Sequence, residues 1–132
     1  MDAILAIDAG TTGLTALVVD ATATIIARGY REFPQHFPAD GWVEHDLEDI
    51  WASTLATVRR ALREAGLRGS DVAAIGITNQ RETTVLWEKA TGKPVANAIV
   101  WQSRISAPVC ERLKASGIHL PPDMFEGVTE VR

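Results

Sequence analysis

Three short runs that read as strands, residues 3–8, 15–20 and 24–33, stand near the start of the sequence with only a few residues between them. A parallel crossover takes a dozen residues or more, so neighbours this close pair as an antiparallel meander. The first run ends on Asp8 and reads as a strand buried on both faces. Gly10-Thr11-Thr12-Gly13 then supplies turn chemistry, with glycines free to take positive φ. Pro34, Pro38 and Gly41 mark a loop ahead of Asp46, a helix N-cap candidate with Asp49 three positions on. Leu47, Ile50, Trp51, Thr54, Leu55, Val58, Ala61 and Leu62 recur at helical spacing, with Arg59, Arg60 and Arg63 suited to the helix end and Gly66 to stop it.

Residues 72–78 form another apolar run. Because it follows a helix, it is expected to return parallel to an earlier strand, by a right-handed crossover, as a buried strand. Residues 83–87 and 95–101 flank Thr91-Gly92-Lys93-Pro94 as a hairpin, and residues 103–117 predict a second helix in which Pro108 marks the start or a kink. Residues 118–132 lack a clear period, and Pro121-Pro122 favours an irregular tail. The order strand–strand–strand–helix–strand–helix predicts an α/β fold. It is that of a ribonuclease-H-like (actin-like ATPase) half-domain: a mixed sheet with an antiparallel meander and then a crossover helix, spanning residues 1–117.

A length of 132 residues suits one domain. A formal net charge of −4 argues against a nucleic-acid partner, and the longest early apolar run, residues 4–7, is too short for a leader or a membrane span. The single cysteine, Cys110, excludes an internal disulfide and suits a reducing cytoplasm. His36, His45 and His119 are too scattered to form a metal site.

Two segments carry chemistry. In Asp8-Ala9-Gly10-Thr11-Thr12-Gly13, small residues let backbone N–H groups converge on an anion while threonine hydroxyls add donors. Asp8 at the strand end is placed to hold Mg2+ through water. The other reading is a tight hairpin whose threonines serve β-propensity. No Gly-Lys-Ser/Thr follows, so this is not a Walker loop. In the second segment, residues 76–84, Glu82 can accept hydrogen bonds from neighbouring hydroxyls of a polyol and Arg81 can donate to the same oxygens. An exposed ion pair is the alternative. Trp101 can pack on a carbon chain or serve as a core tryptophan. Trp42 reads as a loop anchor, Trp51 as helix core and Trp87 as sheet packing.

These motifs resemble the glycerol-kinase branch of the FGGY carbohydrate kinases. The resemblance rests on Asp8-Ala9-Gly10-Thr11-Thr12, Gly41-Trp42-Val43-Glu44-His45-Asp46, the block Ala74 through Thr84 with its Asn79-Gln80-Arg81-Glu82-Thr83-Thr84, and Asn97-Ala98-Ile99-Val100-Trp101-Gln102. It runs from about residue 3 to about residue 116. It implies ATP-dependent phosphorylation of glycerol with ATP and Mg2+ as cofactors. Thr11 would contact the transferred phosphate, Thr12 and Gly13 would line the nucleotide phosphates beside Gly10, and Asp8 would sit near the metal. Arg81 and Glu82 would hold glycerol hydroxyls, with Trp101 against the carbon chain. Thr15 stands where many members carry a phosphate-reaching arginine, and Ala9 replaces a glutamine. The general base, a further glycerol contact and the adenine-binding domain are expected later in the family's chains, so no catalytic base is assignable here and this piece alone is expected to be inactive. Another sugar or polyol kinase of the family, or a non-catalytic actin-like binding module, remain alternatives. Sheet edges left without neighbours would favour self-association.

Overall fold

The computed structural model describes residues 3–117, and the expected tail at 118–132 lies outside them. In chain order the strands are β1 (Ala3–Ala9), β2 (Gly13–Val19), β3 (Ile25–Glu32), β4 (Glu44–His45), β5 (Val72–Asn79) and β6 (Ala98–Ile99), and the helices are α1 (Leu47–Glu64) and α2 (Ala107–Ala115). They sort into two compact units, each built from two stretches of chain. One holds the residues up to Gln35 and Asp46–Gln80; the other holds His36–His45 and the residues from Arg81 onward.

The first unit is a four-stranded mixed sheet in the order β3-β2-β1-β5. β1 and β2 pair antiparallel with Leu5 opposite Val18, β2 and β3 pair antiparallel, and β5 returns parallel to β1 with Leu5 opposite Ile75. The antiparallel meander and the parallel return of β5 beside β1 are therefore as expected. The β2–β3 connection is tied by Asp20, whose Oδ1 accepts from the Thr22 hydroxyl and from the N–H groups of Thr22 and Thr24. The Thr22 hydroxyl first, then the Thr24 and Thr22 amides, hold the Asp20 carboxyl below its ordinary pKa.

Alternation along the strands sets one face toward α1. Ala3, Leu5, Ala16, Val18 and Ala61 form the buried core, with Ile7, Ala27, Val58 and Leu62 packed around it. Asp46 caps α1, its carboxylate accepting from the N–H of Glu48 at 2.8 Å. Just past the helix, Gly66 takes φ 68°, the left-handed position that ends many helices. The buried stripe of α1 is Ser53, Thr57 and Ala61. Trp51, expected in the helix core, is 59% exposed. The reason is the closeness of the helix to the sheet: a Cβ on Gly29 of β3 would lie 2.5 Å from the Thr57 carbonyl oxygen, so only small side chains fit that seam.

Two further expectations are corrected. β1 is buried on one face only, since Ile4 is 47% exposed. β5, read as buried, is an edge strand with Ile75 and Ile77 open to solvent.

In the second unit β4 and β6 pair antiparallel, Glu44 opposite Ile99 and His45 opposite Ala98. Thr84 adds a third chain to this pair by exchanging N–H···O bonds with Ile99 at 2.9 and 3.0 Å. The expected hairpin exists as single bridges, Thr84 to Ile99 and Trp87 to Pro94, and Trp87 is exposed instead of packed. α2 begins at Ala107 with Pro108 in its first turn, later than the predicted start. Among the described residues no helix is long and apolar enough to cross a membrane.

Candidate functional site

In the first unit, the turn of residues 10–13 joins β1 to β2. Neither Gly10 nor Gly13 takes a positive φ, so the expected reason for glycine is replaced by another. A Cβ on Gly13 would lie 2.8 Å from both the Arg31 carbonyl oxygen and the Tyr30 hydroxyl, and one on Gly10 would lie 3.1 Å from the Gly13 carbonyl oxygen. Glycine is needed for close approach.

The carbonyls of the turn are held from both flanks, by the chain after β5 and the chain after β3. The Ala9 carbonyl accepts from the Gln80 backbone N–H at 3.0 Å and the Gly10 carbonyl from Gln80 Nε2 at 3.4 Å. The Thr11 carbonyl accepts from Gln35 Nε2 at 3.0 Å and the Thr12 carbonyl from the Phe33 N–H at 3.5 Å. As sequence, a glutamine between two prolines carries no pattern; only the fold reveals the reach of Gln35 across 24 positions.

Strand register places Asp8 opposite Thr15 on one side and opposite Thr78 on the other. These three side chains belong to the sheet face that alternates with the core face. A cavity of about 430 Å³ is lined by Ala6, Asp8, Thr15, Leu17, Gly76 and Thr78 together with Ile7 and Ile77. Residues 10–13 are not among its lining. One carboxylate flanked by two hydroxyls is an all-oxygen donor set, which suits Mg2+ that keeps water and phosphate oxygens in its shell. Among the described residues there is no group of three or more His, Cys, Asp or Glu that would cage a metal with protein ligands alone.

Arg81, Glu82 and Trp101 fall in the second unit. Arg81 and Glu82 are exposed, and among the described residues neither side chain forms a hydrogen bond or ion pair. The exposed-ion-pair alternative does not occur. Glu82 adopts φ 64°, a left-handed conformation rare for a residue with a Cβ. Beside it, the Thr83 hydroxyl accepts from the Trp101 backbone N–H at 3.3 Å, which ties Trp101 to the Arg81-Glu82 loop. Trp101 is 42% exposed, not a core tryptophan. On β4, His45 is fully buried. Burial first, and the charge of His36 second, push its imidazole below the ordinary pKa.

A sequence profile of the FGGY family of carbohydrate kinases, N-terminal domain, matches residues 3–122. The chain is 63% identical over 115 residues to a glycerol kinase of Agrobacterium fabrum, an overlap of 87% of this chain and 23% of that protein. It is 60% identical to a glycerol kinase of a Chelativorans species over the same shares. The chain thus spans about a quarter of the length of the curated relatives it matches. Among solved structures, a Plasmodium falciparum glycerol kinase crystallised with ADP superposes with a TM-score of 0.79 at 27% identity, over 96% of this chain and 25% of that one. A ligand-bound xylulose kinase of Lactobacillus acidophilus gives a TM-score of 0.80 at 19% identity, over 89% of this chain and 23% of the other, a likeness of fold alone. The architecture is therefore the α/β actin-like one these kinases share. On this fold, and on a profile match that runs through both the turn and the Arg81-Glu82 loop, the chain belongs to the FGGY family of carbohydrate kinases, in their N-terminal domain.

Proposed function

We propose that this chain is the amino-terminal part of an ATP-dependent glycerol kinase. In the reaction, the bond between the γ-phosphorus and the β–γ bridging oxygen of ATP breaks. A new phosphorus–oxygen bond forms to a terminal glycerol hydroxyl, whose proton passes to a base outside this chain. The observation that carries the proposal is Glu82. A residue held at φ 64° costs about 1 kcal/mol of backbone energy, and the Glu82 carboxylate so held is exposed and without a partner among the described residues. That cost has a purpose if Glu82 and Arg81 are poised for paired hydroxyls, with Trp101 against the carbon chain. Two relatives, 63% and 60% identical, are glycerol kinases, which supports the same substrate.

Phosphoryl transfer depends on positioning and charge neutralisation. The N–H groups and hydroxyls of Gly10, Thr11, Thr12 and Gly13 would receive nucleotide phosphates. Thr15 would add a neutral donor from β2, and Asp8 would hold Mg2+ through water. Mg2+, when bound, neutralises phosphate charge. A cytoplasmic setting fits the single cysteine and the use of ATP. The open β5 edge, uncharged from Val72 to Asn79, supports self-association of the chain when it stands alone.

The test is glycerol-dependent ADP formation by this chain and by a version extended to the full length of its relatives, with xylulose and gluconate as competing acceptors. The expected result is turnover on glycerol in the extended protein and little in the short one. Equal activity on xylulose would overturn the substrate assignment, and no activity on any polyol would favour a binding module.

A further inference from the structure

We infer that the side-chain amides of Gln35 and Gln80 are positioning groups for the phosphate turn, acting by fixing the direction of its peptide units. The inference rests on the phosphate role proposed for residues 10–13. Four consecutive carbonyls, those of Ala9, Gly10, Thr11 and Thr12, are engaged by protein donors. The donors come from two places far apart in sequence: the chain just after β3, which supplies Phe33 and Gln35, and the end of β5, which supplies Gln80.

Among the described residues no peptide bond is cis. In a trans unit the C=O and the following N–H point in opposite directions. With Gln80 on the β5 flank and Phe33 and Gln35 on the β3 flank, each restraint turns the next N–H away from its donor: those of Gly10 and Thr11 away from β5, those of Thr12 and Gly13 away from β3. Successive N–H groups displayed together are what an anion nest requires. Turns of small residues are loose by themselves, because glycine samples the most backbone states. Two of the four restraints here are backbone donors that any residue would provide. The other two need an amide: a carboxylate in its place has no hydrogen to donate and would set one acceptor against another.

The experiment uses the chain itself, with inorganic pyrophosphate as the probe and backbone amide NMR shifts of residues 10–13 as the readout. The variants are Gln35→Met, which keeps length and volume but donates nothing, Gln80→Met, and Gln35→Glu. Each methionine variant is expected to weaken pyrophosphate binding about three- to tenfold, the worth of one neutral hydrogen bond, with β1 and β2 amide shifts and the thermal midpoint unchanged. Gln35→Glu is expected to weaken it further. Should Gln80→Met fail to fold, Gln35→Met alone decides. If the parent binds pyrophosphate at the turn and the variants bind it equally well, the positioning role is wrong and the phosphate role stands. If the parent shows no shift at residues 10–13, the phosphate role fails and takes this inference with it.

Discussion

Replacing Gly29 with alanine tests the seam between α1 and the sheet most directly. The new methyl carbon would sit 2.5 Å from the Thr57 carbonyl oxygen, about 0.9 Å inside the 3.4 Å at which ordinary contact begins, and 3.1 Å from Thr57 Cγ2. A flexible side chain would swing aside. A helix carbonyl moves only with its helix, and α1 is fixed by the core around Ala61, Val58 and Leu62. Overpacking of this kind costs about 1–3 kcal/mol, and an immovable obstacle argues for the upper part of that range. In a unit of this size each kcal/mol lowers the midpoint by roughly 4–8 °C, so Gly29→Ala is expected to lose on the order of 10–20 °C. Thermal and urea unfolding followed by far-ultraviolet circular dichroism would measure it. Adding Thr57→Ala should not restore the loss, because the carbonyl remains. A midpoint within about 2 °C of the parent's, or recovery in the double variant, would refute the argument.

Thr57→Val should raise stability by about 1 kcal/mol, since among the described residues the buried Thr57 hydroxyl has no hydrogen-bond partner and valine fills the same volume; a lower urea midpoint would contradict this. His45 should make stability fall with acid. Its folded pKa lies below the unfolded value of 6.5, so above 6.5 both states are neutral, and as pH drops from there the unfolded state takes a proton the folded state resists. His45→Gln should flatten that part of the profile between about pH 7 and pH 5, as read by urea unfolding across pH. Glu82→Gly should raise the thermal midpoint by a few degrees, by relieving a left-handed backbone, and abolish glycerol-dependent turnover in the extended protein. A lower midpoint would show that Glu82 is not under strain.

The meander, the crossover and the limits of α1 were legible because each is written in local terms. Spacing too short for a crossover set β1 to β3, Asp46 offered a cap, and Gly66 offered the left-handed stop the helix takes. The burial pattern was not legible in the same way. Hydropathy favours large residues for a buried stripe, whereas α1 buries Ser53, Thr57 and Ala61 because Gly29 draws it close. β5 is apolar like a central strand yet lies at an edge among the described residues, since composition records what a strand can pair with and not which neighbours it meets. At the candidate site, Arg81, Glu82 and Trp101 stood out as residue types near a strand end. The φ of Glu82, the Thr83 tether and the role of Gln35 depend on partners remote in sequence.

The parallel pairing of β1 with β5 has a bearing on the order in which the chain acquires its structure. Ala9 meets Asn79 across a loop of about seventy residues, and closing such a span is slow beside the hairpin-scale contacts of β1, β2 and β3. During synthesis the meander is available early, with one flank of β1 bare until α1 has emerged and carried β5 back. Gln80 arrives with the last residues of that strand. The bend after β1 is therefore made well before the strand and the glutamine that complete its final form.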